Sequence, residues 1–328
     1  MITQLRHFVK KSKGAIISYQ IYDNWRTKQR FNTGKIEFTS GSTHSRKTTQ
    51  ESLSYIDQVF DDYLQYANIS IEMLRDKSIL EIGPGDNVGV ALKFLAAGAK
   101  QVICLDKFFS KYDWMQQREI YRLMREQMNE QERHIFDEVI DLETGLKSDS
   151  QKLIYIYGTG IEEAEKVWEP ESFDFIISRA VFEHLYDLDA AFSVMNTVIK
   201  PGGSMLHKID FRDHGIFSGH HPLTFLTIPA SVYRLMAYDS GKPNRKLINY
   251  YRSKAEEFKY ETKILVTYIV DQEDEIIPHK ETVTPGIDYT EETIALLNRI
   301  RPQLQPEFGN MSDEDILISG IFLIMRKR

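Results

Sequence analysis

The strongest constraint on this chain is a short run, Glu81-Ile82-Gly83-Pro84-Gly85-Asp86, which joins an apolar segment to an amphipathic one. Ser78–Ile82 is too short for a helix and reads as a strand. Val88–Ala97 has helical spacing and is stopped by Gly98. Two glycines flanking a proline make a tight turn of a kind that Cβ atoms would obstruct. The alternation then continues. Gln101–Leu105 reads as a second strand ending in Asp106, Leu153–Tyr157 as a third, Phe173–Ser178 as a fourth and Ser204–Ile209 as a fifth. Helical stretches cover Tyr112–Asn129 and Leu188–Ile199, the latter closed by Pro201-Gly202-Gly203. Strands alternating with helices over short connections predict a parallel sheet with helices on both faces. Lys263–Val270 and Ile316–Met325 are strand-like and are expected to be the last two strands, with an insertion between them.

The flanks are harder to read. Thr48 and Glu51 have capping-box spacing, and Leu53, Ile56, Phe60, Tyr63 and Leu64 follow at helical intervals, predicting an amphipathic helix. Residues 1–47 show no clear periodicity. The expected organisation is a basic arm and helical lid over residues 1–70, then a catalytic domain over 71–328 with substrate-side insertions in its C-terminal half. With 42% hydrophobic and 27% charged residues, the chain can bury a full core. Cys104 is its one cysteine, so no disulfide can form within it. No apolar run reaches the roughly 18–20 residues of a membrane span, and no signal-peptide pattern opens the chain, so a cytoplasmic location is expected.

Charge is unevenly spread. Residues 1–47 hold ten Lys and Arg against two Asp and Glu, a net +8, which leaves −15 on the remainder of a chain whose total is −7. An acidic body argues against nucleic-acid binding, which needs many phosphate contacts. The basic arm is expected to be solvated, with a weak contact to an anionic membrane surface as the functional alternative.

Ligands of such a sheet bind beyond the carboxyl ends of its strands. Gly83 and Gly85 allow close approach there, and Asp106, about 20 residues on, can accept hydrogen bonds from both hydroxyls of a ribose. The pair points to an adenosine-containing ligand. A nicotinamide dinucleotide wants a third glycine at the position of Val88, whereas the glycine falls one residue later, at Gly89. Pro84 removes an N–H that a pyrophosphate would use. Glu81 would repel a pyrophosphate and suits a cationic cofactor.

With these residues in register, the chain resembles the class I S-adenosylmethionine-dependent methyltransferases. Glu81–Asn87 is similar to their first motif and Val102–Asp106 to their second. Ser172–His184 is similar to the fourth-strand motif and Lys200-Pro201-Gly202-Gly203 to the turn before the fifth strand, so the likeness spans roughly Ser78 to Ile209. Asn87 departs from the glycine that many relatives have. The resemblance implies a Rossmann-like, doubly wound seven-stranded sheet, mostly parallel with the last strand antiparallel, carrying an N-terminal helical extension and inserted lid helices. It implies S-adenosylmethionine as cofactor, with Glu81, Gly83, Pro84 and Gly85 at its methionine part and Asp106 at the ribose. Ile161 or Glu162 would meet the adenine, and Ser178 and Arg179 would line the cofactor after the fourth strand.

The reaction expected is methyl transfer to a hydroxyl, which needs alignment and a base. Four of the nine histidines, His207, His214, His220 and His221, fall within fifteen residues after the fifth strand begins. His214 is the candidate base, with Asp210 or Asp213 orienting it, and His207 a second candidate. Glu183 and His184 stand where some methyltransferases of this class bind a divalent metal, but the other carboxylate of that pattern falls on Ala180, so no metal is expected. The segment His207–Leu226 with Pro243-Asn244-Arg245 resembles a bacterial subgroup associated with glycan pathways, which implies a small-molecule or glycan acceptor. A methyltransferase of proteins or nucleic acids, and a non-catalytic or NAD-binding Rossmann protein, stand as alternatives.

Overall fold

A computed structural model describes residues 12–35, 37–38, 44–185 and 187–328. Seven strands form the main sheet: β1 (Ser78–Ile82), β2 (Gln101–Asp106), β3 (Leu153–Tyr157), β4 (Phe173–Arg179), β5 (Ile199–Asp210), β6 (Glu261–Ile269) and β7 (Ile318–Arg326). Their spatial order is β6-β7-β5-β4-β1-β2-β3. β1 pairs in parallel with β2 and β4, and β2 with β3. β7 runs the other way along β5. Lys327 bonds to Gly202 and Gly203 at one end, and the Phe211 N–H donates to the Ser319 carbonyl at the other. The expected α/β architecture, mostly parallel with an antiparallel last strand, is the one the chain adopts. Chain order reverses between β1 and β4, which makes their carboxyl ends a switch point of the kind that binds ligands.

The longer helices are α1 (Lys13–Asn32), α2 (Thr49–Ala67), α3 (Gly89–Ala96), α4 (Trp114–Gln127), α5 (Glu130–Val139), α6 (Leu188–Val198), α7 (Ala230–Ala237), α8 (Ile248–Phe258) and α9 (Glu291–Ile300). Among the described residues, no helix is long and apolar enough to cross a membrane.

Two compact units make up the chain. The first comprises Ile36–Arg179, Asp187–Leu206 and Arg326–Arg328. Its core is built on Ile79, Leu80, Val102, Leu105, Ile176 and Ile177, all fully buried on β1, β2 and β4. Helix α2 begins at the predicted capping box: the Thr48 side chain accepts from Glu51 N–H, and the Glu51 carboxylate accepts from Thr48 N–H at 2.8 Å. A Cβ at Gly89 would collide with Ile56, so the start of α3 packs on α2 only because that residue is glycine. At the other end of the sheet Asp174 of β4 accepts from Ser78 N–H at 3.0 Å and pairs with Lys77 and Lys200, which hold its pKa down despite partial burial.

The second unit comprises Met1–Lys35, Ala180–Tyr186 and His207–Met325. Helix α1 lies in the stretch where no periodicity was legible. It buries Ile16, Gln20, Asn24 and Thr27 and exposes Tyr19, Tyr22 and Trp25, so these three aromatic residues face away from the packed side. Asn24 accepts from Asp239 N–H at 2.7 Å, which ties α1 to the end of α7. The last strand starts later than expected. Asp313–Leu317 is helical instead, capped by Ser312 and carrying three acidic residues in its first turn.

Candidate active site

The glycine turn leaves β1 with Gly83 at φ 69° and Gly85 at φ 73°, a left-handed region that other residues enter only with strain. The Gly83 N–H donates to the Leu105 carbonyl at 2.8 Å, which fixes the turn beside the end of β2. Asn87 is not a defect in the motif. Its side-chain oxygen accepts from Gly89 N–H at 2.5 Å, and its amide bonds to Gln117, so it opens α3 and ties it to α4. Val88 N–H donates to the Tyr121 hydroxyl at 3.2 Å.

A buried carboxylate and a half-buried one flank the turn. Glu81 is buried, and among the described residues its partner is the Cys104 thiol at 3.5 Å. Burial without a cation pushes its pKa up to about 7. Asp106 is pushed up to about 6, again by burial, against backbone N–H bonds that pull the other way, one of them from Phe108 at 3.1 Å. A third acceptor lies past β3. Ile161 is fully buried in the short turn Ile161–Glu163, and the Glu162 carboxylate keeps Oε2 buried with no hydrogen-bond partner, while Oε1 stands 3.5 Å from Lys107. A Cβ at Gly160 would overlap the Glu162 carboxylate, so a glycine there makes room for it.

This donor-poor, acceptor-rich set fits S-adenosylmethionine. Glu81 matches an ammonium group, Asp106 a pair of ribose hydroxyls and Glu162 the exocyclic amine of an adenine, while Gly83, Pro84 and Gly85 leave the backbone open. Ser178 is buried at the end of β4. Arg179 is committed elsewhere: its guanidinium pairs with Asp62 of α2 at 2.6 Å and lies over the Tyr55 ring at 5.5 Å. Phe60, Tyr63 and Tyr121 are core residues, and Tyr55 is half-buried.

Asp86 was not singled out by sequence beyond its place in the motif. It is buried and accepts from His44 N–H at 3.3 Å and Ser45 N–H at 3.2 Å. Gln116 of α4 donates to the His44 and Lys47 carbonyls at 2.7 and 2.8 Å. The turn leading into α2 is thereby clamped beside the glycine turn. Nothing in the sequence links residues 44–47 to position 86.

A second polar group forms in the other unit, after β4 and β5. Glu183, His184 and His214 bring one ligand atom each to within 4.8 Å of one another. The His184 and His214 rings meet edge to face at 4.9 Å. Glu183 is buried, and neither of its oxygens makes a hydrogen bond. The backbone N–H groups of Glu183 and Asp210 lie near it but outside hydrogen-bond geometry; burial first, then the Asp210 charge, raise its pKa well above the carboxylate range. His184 is drawn down to about 3 by burial and by His214. His214 is exposed, with φ 52° in the left-handed region. Its Nε2 stands 3.9 Å from Asp210, longer than a hydrogen bond, because Asp210 is held by Arg212 through bonds of 2.6 to 3.0 Å. His207 is fully buried against Phe182, ring centroids 4.1 Å apart, and burial lowers its pKa to about 3. His221 donates to the Leu296 carbonyl at 2.9 Å and accepts from Leu223 N–H. Arg245 supports the loop carbonyls of Phe225 and Ile228 at 3.2 and 2.6 Å.

The model of the methyltransferase domain family matches residues 53–257. The chain belongs to this family, as a class I enzyme that uses S-adenosylmethionine. No curated protein matches the sequence. Among solved structures, a candidate sarcosine dimethylglycine methyltransferase from Galdieria sulphuraria is 17% identical, with 92% of this chain and 97% of that one covered and a TM-score of 0.43. Phosphoethanolamine N-methyltransferase 2 from Haemonchus contortus is 15% identical over 87% of this chain and 59% of that one, TM-score 0.43. A methyltransferase from Archaeoglobus fulgidus is 11% identical over 86% and 96%, TM-score 0.41.

Proposed function

We propose that this enzyme methylates a hydroxyl of a small molecule or glycan. The observation that carries the reading is the cluster after β4 and β5, where exposed His214 stands beside half-buried His184 and buried Glu183. Bound S-adenosylmethionine supplies an electrophilic methyl group on a sulfonium. Glu81, Asp106 and Glu162 would hold it by its ammonium, ribose and adenine, and Gly83, Pro84 and Gly85 would let it lie against the turn. Ser178 and Arg179 would shape the end of β4, Arg179 through its pair with Asp62.

An oxygen acceptor must lose its proton as the methyl group arrives. Among the histidines proposed from sequence, His214 offers an exposed ring. His207 is enclosed by Phe182 and is assigned to packing, and Asp210 acts through Arg212. The acidic body of the chain favours a small acceptor over a nucleic acid. The basic arm is proposed as a weak contact for an anionic membrane surface; residues 1–11 of it lie outside the described residues.

Labelled methyl transfer to a panel of sugars, phenols and hydroxy acids tests the reading, with amines, RNA and a protein mixture run beside them. Label in a hydroxyl product supports it, and label confined to amines or macromolecules contradicts it. On the hydroxyl acceptor so found, His214→Ala is expected to lower turnover at least about 100-fold, with S-adenosylmethionine affinity unchanged. Turnover at the wild-type rate would remove His214 from the reaction.

A further inference from the structure

We propose that Glu183, His184 and His214 bind a divalent transition-metal ion. The Glu183 carboxylate, at 2% exposure with both oxygens unbonded, is costly in either protonation state. Ionised, it is a buried charge, and the Arg212 guanidinium that acts on it is already paired with Asp210. Protonated, it still leaves an O–H donor and a carbonyl acceptor without partners. A metal ion satisfies the ionised form, because a coordination bond takes the place of the missing donors.

The neighbours have the chemistry this requires. Nδ1 of His184 is buried and without a hydrogen-bond partner, and the Gly241 backbone acts on the ring. Nδ1 thus keeps a buried nitrogen available to a metal ion. His214 adds a second imidazole, and all three ligand atoms fall within 4.8 Å of one another. Asp210 stands just outside, neutralised by Arg212. Two imidazoles and one carboxylate suit Mn²⁺, Fe²⁺, Co²⁺ or Zn²⁺ better than Ca²⁺, and three protein ligands leave positions open for water or an acceptor.

Sequence alone argued against a metal, because Ala180 supplies no carboxylate. The structure brings in His214, thirty residues downstream of His184, as a ligand from another segment. Metal binding itself does not depend on the acceptor. The ion's use does rest on the hydroxyl reading, since an oxygen ligated at an open position loses its proton more readily. His214 would then act through the ion that activates the hydroxyl rather than as the base itself, and the proton would leave to solvent water.

The test uses the full chain, stripped with EDTA and titrated with Co²⁺ by calorimetry and visible absorption. One equivalent is expected to bind with d–d bands of a low-coordinate nitrogen and oxygen site. Glu183→Gln and His214→Ala should each weaken binding by at least about tenfold, and His220→Ala, outside the cluster, should bind as wild type does. Absence of Co²⁺ binding, or equal affinity in wild type and His214→Ala, overturns the proposal. His214 is exposed, so that variant decides the matter even if Glu183→Gln fails to fold. S-adenosylmethionine affinity measured on the same stripped samples separates failure of the metal site from failure of the cofactor site.

Discussion

Replacing Asp106 with alanine is expected to weaken S-adenosylmethionine binding at least about 100-fold, by removing two charge-assisted hydrogen bonds of about 1.5–3 kcal/mol each. The reason lies in how the carboxylate is held. Partial burial has already stripped it of part of its water and raised its pKa to about 6, so part of the cost of its desolvation falls on the cofactor-free protein. The ribose hydroxyls then meet an acceptor that has less water to lose than an exposed carboxylate. Asp106→Asn should fall between the two, since its amide oxygen can still accept the Phe108 N–H and one ribose hydroxyl. Calorimetry on both variants, with circular dichroism to confirm folding, checks this. Affinity within a few-fold of wild type for Asp106→Ala would place the ribose elsewhere.

Affinity for the cofactor is also expected to depend on pH through Glu81. Its pKa in the cofactor-free protein is about 7, against 4.5 in an unfolded chain. Between those values the folded protein holds a proton that the unfolded chain has released. Stability of the cofactor-free protein therefore falls as pH rises from 4.5 to about 7, then levels. Binding runs the other way, because an ammonium group binds the ionised carboxylate. Each pH unit below about 7 costs close to tenfold in affinity, so binding at pH 5.5 should be about 30-fold weaker than at pH 7.5. Asp106 adds to the slope below about 6 with the same sign. Glu81→Gln should flatten the profile above pH 6 while binding weakly throughout. A wild-type affinity constant across this range would mean that Glu81 does not meet the ammonium.

What the sequence showed and what it hid follow from the range over which each feature is encoded. The turn at Gly83–Gly85, the acid at Asp106 and the parallel strands are local patterns of residue type at fixed offsets; the structure forms β1 to β4 within a residue of the expected bounds, whereas β5 starts at Ile199, five residues before the expected Ser204. Asn87 read as a departure from the motif, and only its bonds to Gly89 and Gln117 explain it. Helix α1 was hidden because it packs through Gln20, Asn24 and Thr27 and shows its aromatic residues to solvent, which inverts the pattern that periodicity detects. The group of Glu183, His184 and His214 was hidden for a different reason. Its members follow two strands that are neighbours in the sheet but separated in the chain by a helix and a turn. Proximity of His184 to His214 is a product of strand order, and no spacing rule along the sequence carries it.

The measurement closest to the central claim is direct titration of the purified wild-type chain with S-adenosylmethionine, with NAD in parallel. One equivalent of S-adenosylmethionine is predicted to bind, with no detectable heat from NAD at the same concentrations. Preference for NAD, or no binding of S-adenosylmethionine at neutral pH, would contradict the account at its root.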